Sequence, residues 1–196
     1  MERIRRHGVG RLNNVRCGGD GMNSLDSSWA LALLLSAAPT LEMLQVEGLQ
    51  DVHLLAIHDM PRLRRLEARY LDADAAPLEL PALPPGRRGL QWLSMKDFPP
   101  GTALSLVRAH SGTLQALELE TGPEAWPPLD QLPYPCGELD KLRRGGGLPA
   151  LRRLVLLRRE GHRSGAFCEA QCHAVERALG GPTVMCADAE CDNVQI

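Results

Sequence analysis

A six-residue pattern of aliphatic residues, L-x-x-L-x-L, recurs along the chain and constrains its fold more than any other feature. Copies begin at Leu41, Leu63, Leu90, Leu114 and Leu151, and a weaker copy begins at Leu12. The starting residues are 29, 22, 27, 24 and 37 positions apart. Most of these spacings fall in the range of roughly 20–29 residues that is typical of stacked units of one strand and one helix. The pattern therefore predicts a repeat architecture.

Each six-residue copy predicts a β-strand, because its second and third apolar positions are two residues apart and point to the same face. Helical patterns separate the copies, at residues 27–37, 50–58, 102–110, 136–144 and 167–179, and residues 183–187 predict a last strand. The longest step contains five prolines between residues 123 and 135, which indicates an inserted loop. The expected core is aliphatic, since only 4% of the residues are aromatic.

These patterns predict an α/β domain over residues 12–187, with a short segment at 1–11 and a tail at 188–196. The domain holds about six or seven repeats. Because helices are wider than strands, stacking curves the sheet, with the strands on the concave side and the helices on the convex side.

Residues 29–38 also resemble a signal peptide, but the pattern favours an amphipathic helix that begins near Asp26.

The repeats resemble leucine-rich-repeat proteins of the ribonuclease-inhibitor-like kind. Residues 106–119 (LVRAHSGTLQALEL) and 148–156 (LPALRRLVL) look like repeats of F-box/leucine-rich-repeat proteins. The resemblance implies a right-handed β-α superhelix and the selection of substrates for a cullin-type ubiquitin ligase. An F-box normally precedes the repeats in that family, and the eleven residues before Leu12 are expected to be too few for one.

The concave face is the candidate binding surface, because repeat proteins commonly bind there. Its predicted partner-binding residues are Arg65, Glu67, Arg69, Trp92, Ser94, Lys96, Glu118, Glu120 and Arg153. Trp92 among arginines and lysine is a candidate anchor, since Trp and Arg dominate interface hot spots. The first copy is expected to place Arg16 beside Gln45 and Asn14 beside Met43.

The six cysteines leave several interpretations open. Cys168, Cys172, Cys186 and Cys191 could hold zinc or form disulfides, but their spacing departs from the usual C-x₂-C pairs. Cys168 and Cys172 follow the spacing of a buried helix face, so the pattern favours thiols that pack in the core. We therefore predict no metal site and no cofactor.

Composition and motifs exclude other classes of function. A net charge of −2 and a pI of about 6.3 argue against nucleic-acid binding. No apolar run reaches the 18 or so residues that a membrane span requires. The chain contains no nucleophile or phosphate-loop motif, and its helical histidines His53, His58 and His110 fall away from the predicted concave rows, so no enzymatic activity is predicted.

The predicted function is protein recognition in the cytoplasm or nucleus, as in substrate receptors of cullin-type ligases. Two alternatives remain open. One is an adaptor or regulator that uses the same surface without a ligase. The other is a secreted recognition repeat, which would require paired cysteines and cleavage after Ala38.

Overall fold

A computed structural model describes residues 2–18, 24–121, 147–158 and 166–187. The strands in these ranges are β1 (Arg11–Arg16), β2 (Met43–Leu49), β3 (Arg65–Tyr70), β4 (Trp92–Lys96), β5 (Ala116–Thr121), β6 (Arg153–Arg158) and β7 (Thr183–Cys186). The helices are α1 (Glu2–His7), α2 (Ser24–Ala37), α3 (Asp51–His58), α4 (Pro100–Ala109) and α5 (Ala166–Leu179).

The seven strands form one all-parallel sheet whose strand order follows the chain order from β1 to β7. Parallel neighbours need a crossover connection. Helices α2, α3, α4 and α5 lie in four of these connections. The connection from β3 to β4, residues 71–91, contains no helix, and hydroxyl groups of α4 accept hydrogen bonds from its backbone: Leu78 N to Thr102 Oγ1 and Leu80 N to Ser105 Oγ, both 2.8 Å. The predicted α/β class is confirmed.

The core lies on one face of this sheet, as the alternation in the repeated pattern predicts. The second and third apolar positions of the copies that begin at residues 41, 63, 90 and 151 are buried: Leu44 and Val46, Leu66 and Ala68, Leu93 and Met95, and Leu154 and Leu156. The first leucines of five copies, at positions 41, 63, 90, 114 and 151, are buried in the same cluster. Helix residues such as Leu34, Leu54 and Leu106 complete it.

The predicted helices at 27–37, 50–58, 102–110 and 167–179 are confirmed with small shifts in their ends. Ala30, Leu34 and Ala37 of α2 are fully buried, which agrees with a helix packed in the core. The helix predicted at 136–144 and the proline-rich loop lie outside the described residues. In the described part of the chain, no helix combines the length and the hydropathy that crossing a bilayer requires.

The register of β1 differs from the prediction. Arg11 pairs with Met43 and Leu12 with Leu44, whereas Val15 pairs with Val46 and Arg16 with Glu47. The expected neighbours, Arg16 beside Gln45 and Asn14 beside Met43, are therefore wrong. The register shifts between Leu12 and Val15, where Asn14 adopts a positive φ of 54°. A bulge of this kind lets two apolar residues spaced by three positions share one face of a strand.

We expect Gly48→Ala to destabilise the sheet by at least about 2 kcal/mol, because it combines a left-handed backbone with steric overlap. Gly48 has a φ of +69°, and a Cβ atom there would overlap the carbonyl oxygen of Gly18. Urea denaturation would measure the loss. Gly10→Ala is the control, since a Cβ atom at Gly10 meets nothing within 4 Å. Equal stability of the two variants would contradict the prediction.

Candidate functional site

The sheet face opposite the core carries rows of side chains that the parallel register aligns across the strands. We call it the outer face. One row contains Met43, Arg65, Trp92, Ala116, Arg153 and Thr183, and the next contains Gln45, Glu67, Ser94, Glu118, Val155 and Met185. In a third row, Arg69 pairs with Lys96 and Glu120 pairs with Leu157. All nine predicted partner-binding residues therefore lie on one face, on four adjacent strands.

The centre of the first row is a contact between a cation and an aromatic ring. The guanidinium carbon of Arg65 lies 4.9 Å from the centroid of the Trp92 ring. The two residues are direct neighbours in the β3–β4 register, so the parallel pairing brings them together. Cation–π contacts of this kind are worth about 0.5–1 kcal/mol at exposed sites. The contact holds the indole at a defined position on the outer face.

The middle row departs from the prediction at one site residue. Ser94 was predicted to contact a partner, which requires accessible surface, but only 2% of its surface is accessible. Its short side chain lies between Glu67 and Glu118 of the flanking strands, and Trp92 and Lys96 stand next to it along its own strand. Because all four neighbours are longer, they cover the serine hydroxyl. Ser94 therefore spaces the neighbouring side chains and offers almost no contact area of its own.

Several charges of the outer face are not neutralised by ion pairs. Among the residues that the structure describes, Glu67, Lys96, Glu118 and Arg153 form no salt bridge. Glu67 and Glu118 are half-buried and stand on either side of Ser94. A half-buried charge without an ion-pair partner has already lost part of its hydration. A complementary charge on a binding partner therefore stabilises it more than it would stabilise a fully hydrated charge. The middle of the outer face is thus negative, whereas Arg65 and Arg153 make the first row positive.

At the C-terminal end of β4, a cluster of charged residues surrounds Asp97. The Arg69 guanidinium donates through Nε to Asp97 Oδ2 at 2.6 Å, and the backbone N–H of Asp97 donates to Glu120 Oε2 at 2.8 Å. Asp97 adopts a positive φ of 54°. Arg69 and Glu120 were predicted site residues, whereas Asp97 was not predicted. Its position directly after the strand end is the only sequence signal that could have indicated it.

The three helical histidines lie in the interior, away from the outer face. His58 Nε2 donates to the carbonyl of Pro81 at 3.0 Å, and His110 Nδ1 accepts the backbone N–H of Leu90 at 3.0 Å. The two rings contact edge to face, with 5.3 Å between their centroids. Burial lowers the pKa of His58, and burial together with the nearby His58 and Arg87 lowers the pKa of His110 to about 4. These contacts tie the 71–91 connection to α3 and α4.

Four cysteines lie in the core, as the pattern favoured. Cys17, Cys168, Cys172 and Cys186 are all buried, and burial raises the pKa of the Cys17 thiol to about 12. In the ranges that the structure covers, no three His, Cys, Asp or Glu side chains converge in a way that could hold a metal ion. Cys191 lies outside the described residues. Cys17, Cys168, Cys172 and Cys186 all belong to the buried apolar cluster.

No protein-family model, curated protein or solved structure matches this chain. The geometry of its own residues therefore indicates its function. That geometry is a parallel sheet with a mixed-charge outer face, an arginine-held tryptophan at its centre and an ordered charge cluster at one end.

Proposed function

We propose that the chain is a non-enzymatic leucine-rich-repeat module of the ribonuclease-inhibitor-like kind, which binds a protein partner on its outer face. The order of the strands supports the repeat assignment. Each strand pairs with the next one along the chain, as stacked units of one strand and one connection require. Right-handed crossovers are the rule for parallel strands, so the proposed array is a right-handed superhelix. Its helices, about 10 Å wide against a strand spacing of about 4.8 Å, would make the outer face concave.

One observation carries the binding proposal: Trp92, in contact with Arg65, lies one row away from the unneutralised carboxylates of Glu67 and Glu118 on the neighbouring strands. A large aromatic side chain that is held in place loses little conformational entropy when a partner covers it. The charges of Arg65 in the same row and of Glu67 and Glu118 in the next row add selectivity, because a partner must match their pattern. Half-buried Trp92 therefore serves as the anchor, and the flanking charges determine which partner fits.

The experiment compares two tryptophan-to-alanine variants as bait in a quantitative affinity capture. Trp92→Ala removes the proposed anchor, and Trp29→Ala is the matched control, because Trp29 is 61% exposed on helix α2. We expect a protein captured by the wild-type chain and by Trp29→Ala to be lost by Trp92→Ala. Its affinity, measured with the purified partner, should fall by at least about 30-fold, the effect of one hot-spot side chain. Equal affinity for both variants would contradict the proposal.

Two settings for this activity are proposed, and one capture experiment distinguishes them. By its resemblance to F-box/leucine-rich-repeat proteins, the module would select substrates for a cullin-type ubiquitin ligase in the cytoplasm or nucleus. The alternative is an adaptor or regulator that acts without a ligase. Capture of cullin adaptors together with the Trp92-dependent partner would favour the ligase. Capture of that partner without any cullin component would favour the adaptor.

A further inference from the structure

A cleft rich in arginine lies at the end of the sheet where strand β3 begins. It has a volume of about 310 Å³ and is lined by Glu42, Pro61, Arg62, Arg64 and Arg88. Three guanidinium groups and one carboxylate therefore surround it, which gives a net charge of +2 from these side chains. None of the three arginine side chains takes part in an ion pair or hydrogen bond within the described residues. We call this feature the arginine cleft.

Hydrogen bonds fix the backbone on two sides of the arginine cleft. The N–H of Arg64 donates to the carbonyl of Glu42 at 2.9 Å, which joins the residues that precede β3 and β2. Arg88 lies in the 71–91 connection next to Arg87, whose guanidinium donates to the carbonyl of His58 at 2.9 Å. Leu90, two residues further on, is held by His110. Arg64 and Arg88 thus project from backbone segments that are fixed before any ligand binds, which reduces the entropy lost on binding.

The cleft adjoins the proposed anchor on the outer face. The carbonyl of Arg64 accepts the backbone N–H groups of Gln91 at 2.8 Å and Trp92 at 3.0 Å. Arg65, the next residue after Arg64, holds the Trp92 ring. The arginine cleft and Trp92 therefore lie at the same end of strands β3 and β4, where one partner segment can contact both.

We propose that the arginine cleft binds a phosphoryl group carried by the protein partner. This inference rests on the proposed function, since it names the chemistry of the segment that Trp92 anchors. A phosphorylated side chain carries a charge of about −1.5 to −2 at pH 7, which complements the net charge of the cleft. Guanidinium groups bind phosphate oxygens through paired, charge-assisted hydrogen bonds. A single carboxylate would leave half of the positive charge uncompensated.

The test measures phosphate binding directly, without the unidentified partner. The full chain, labelled with ¹⁵N, is titrated with O-phosphoserine and separately with acetate at constant ionic strength, and backbone amide shifts are followed. We expect saturable shifts at residues 62–65 and 86–91 with O-phosphoserine, and binding at least about tenfold weaker with acetate. Equal binding of both probes, or no saturable shift with O-phosphoserine, would overturn the proposal. So would a short RNA that shifts these amides when O-phosphoserine does not.

Two triple variants with the same change of charge separate the cleft from general electrostatics. Arg62→Gln, Arg64→Gln and Arg88→Gln together should weaken O-phosphoserine binding at least about tenfold. Arg3→Gln, Arg6→Gln and Arg177→Gln, all at exposed positions outside the cleft, should leave it unchanged. Equal losses in the two triples would overturn the assignment. If the first triple does not fold, Arg88→Gln alone, at an exposed position, must still weaken binding.

Failure of the phosphoryl site and failure of the proposed binding face give different results. Trp92→Ala leaves the three arginines in place, so it should bind O-phosphoserine as the wild-type chain does. If the wild-type chain does not bind O-phosphoserine but captures a protein through Trp92, the phosphoryl site is refuted and the proposed function is not. Binding of O-phosphoserine at the cleft without a Trp92-dependent partner would refute the proposed function instead.

Discussion

Replacing Leu93 with aspartate is expected to unfold the centre of the sheet. Leu93 is fully buried in β4, where it lies between Leu66 of β3 and Leu117 of β5. Removing a buried leucine side chain costs about 2–5 kcal/mol, and a carboxylate without a partner adds a large desolvation cost. The total, at least about 5 kcal/mol, is comparable to the whole stability of a typical domain. Circular dichroism and urea denaturation would show the loss.

Two substitutions serve as controls for this prediction. One changes a neighbouring residue on the other face of the sheet, and the other nearly keeps the side-chain volume at position 93. Trp92→Ala should remain folded, because its side chain points away from the core. Leu93→Met should cost less than about 1.5 kcal/mol, since the side-chain volume is nearly conserved. If the Leu93→Asp variant has the same midpoint of urea denaturation as the wild-type chain, the assignment of Leu93 to the core is wrong.

The stability of the fold is expected to fall as the pH is lowered from 7 towards 5, because His110 must stay neutral. The pKa of His110 is about 4 in the folded chain against 6.5 when unperturbed. The unfolded chain therefore binds a proton more readily below pH 6.5. The stabilisation is fully present above pH 6.5 and is lost progressively as the pH falls towards 4. From these two pKa values, about 2 kcal/mol is lost between pH 7 and pH 5.

His110→Asn tests this origin of the pH dependence. The amide oxygen can accept the backbone N–H of Leu90, as His110 Nδ1 does, but the side chain does not titrate. Urea denaturation at half-unit steps from pH 7 to pH 5 should give a much flatter profile for His110→Asn than for wild type. His7→Asn, at an exposed position, should keep the wild-type profile. An unchanged slope in His110→Asn would refute the role of His110.

Local periodicity explains why much of the fold could be predicted from the sequence. Leu66 and Ala68, or Leu93 and Met95, are two residues apart, and the geometry of an extended strand sends both to one face wherever that strand lies. The same rule places Trp92 and Glu118 together on the outer face once the strands pair in order. The rule failed at β1, where Leu12 and Val15 are three residues apart and a bulge at Asn14 corrects the spacing.

By itself, the sequence determined the alternation within strands β2 to β6 and the order of strands and helices along the chain, because each depends on residues that are close along the chain. Tertiary structure alone decided how exposed each position is and which distant residues meet. Ser94 is buried because its neighbours on β3 and β5 have longer side chains. Arg88 and Arg64 line one cleft only because the 71–91 connection returns to the start of β3, where the N–H of Gln91 donates to the carbonyl of Arg64. Such contacts depend on packing between segments about 20 or more residues apart, which no local pattern encodes.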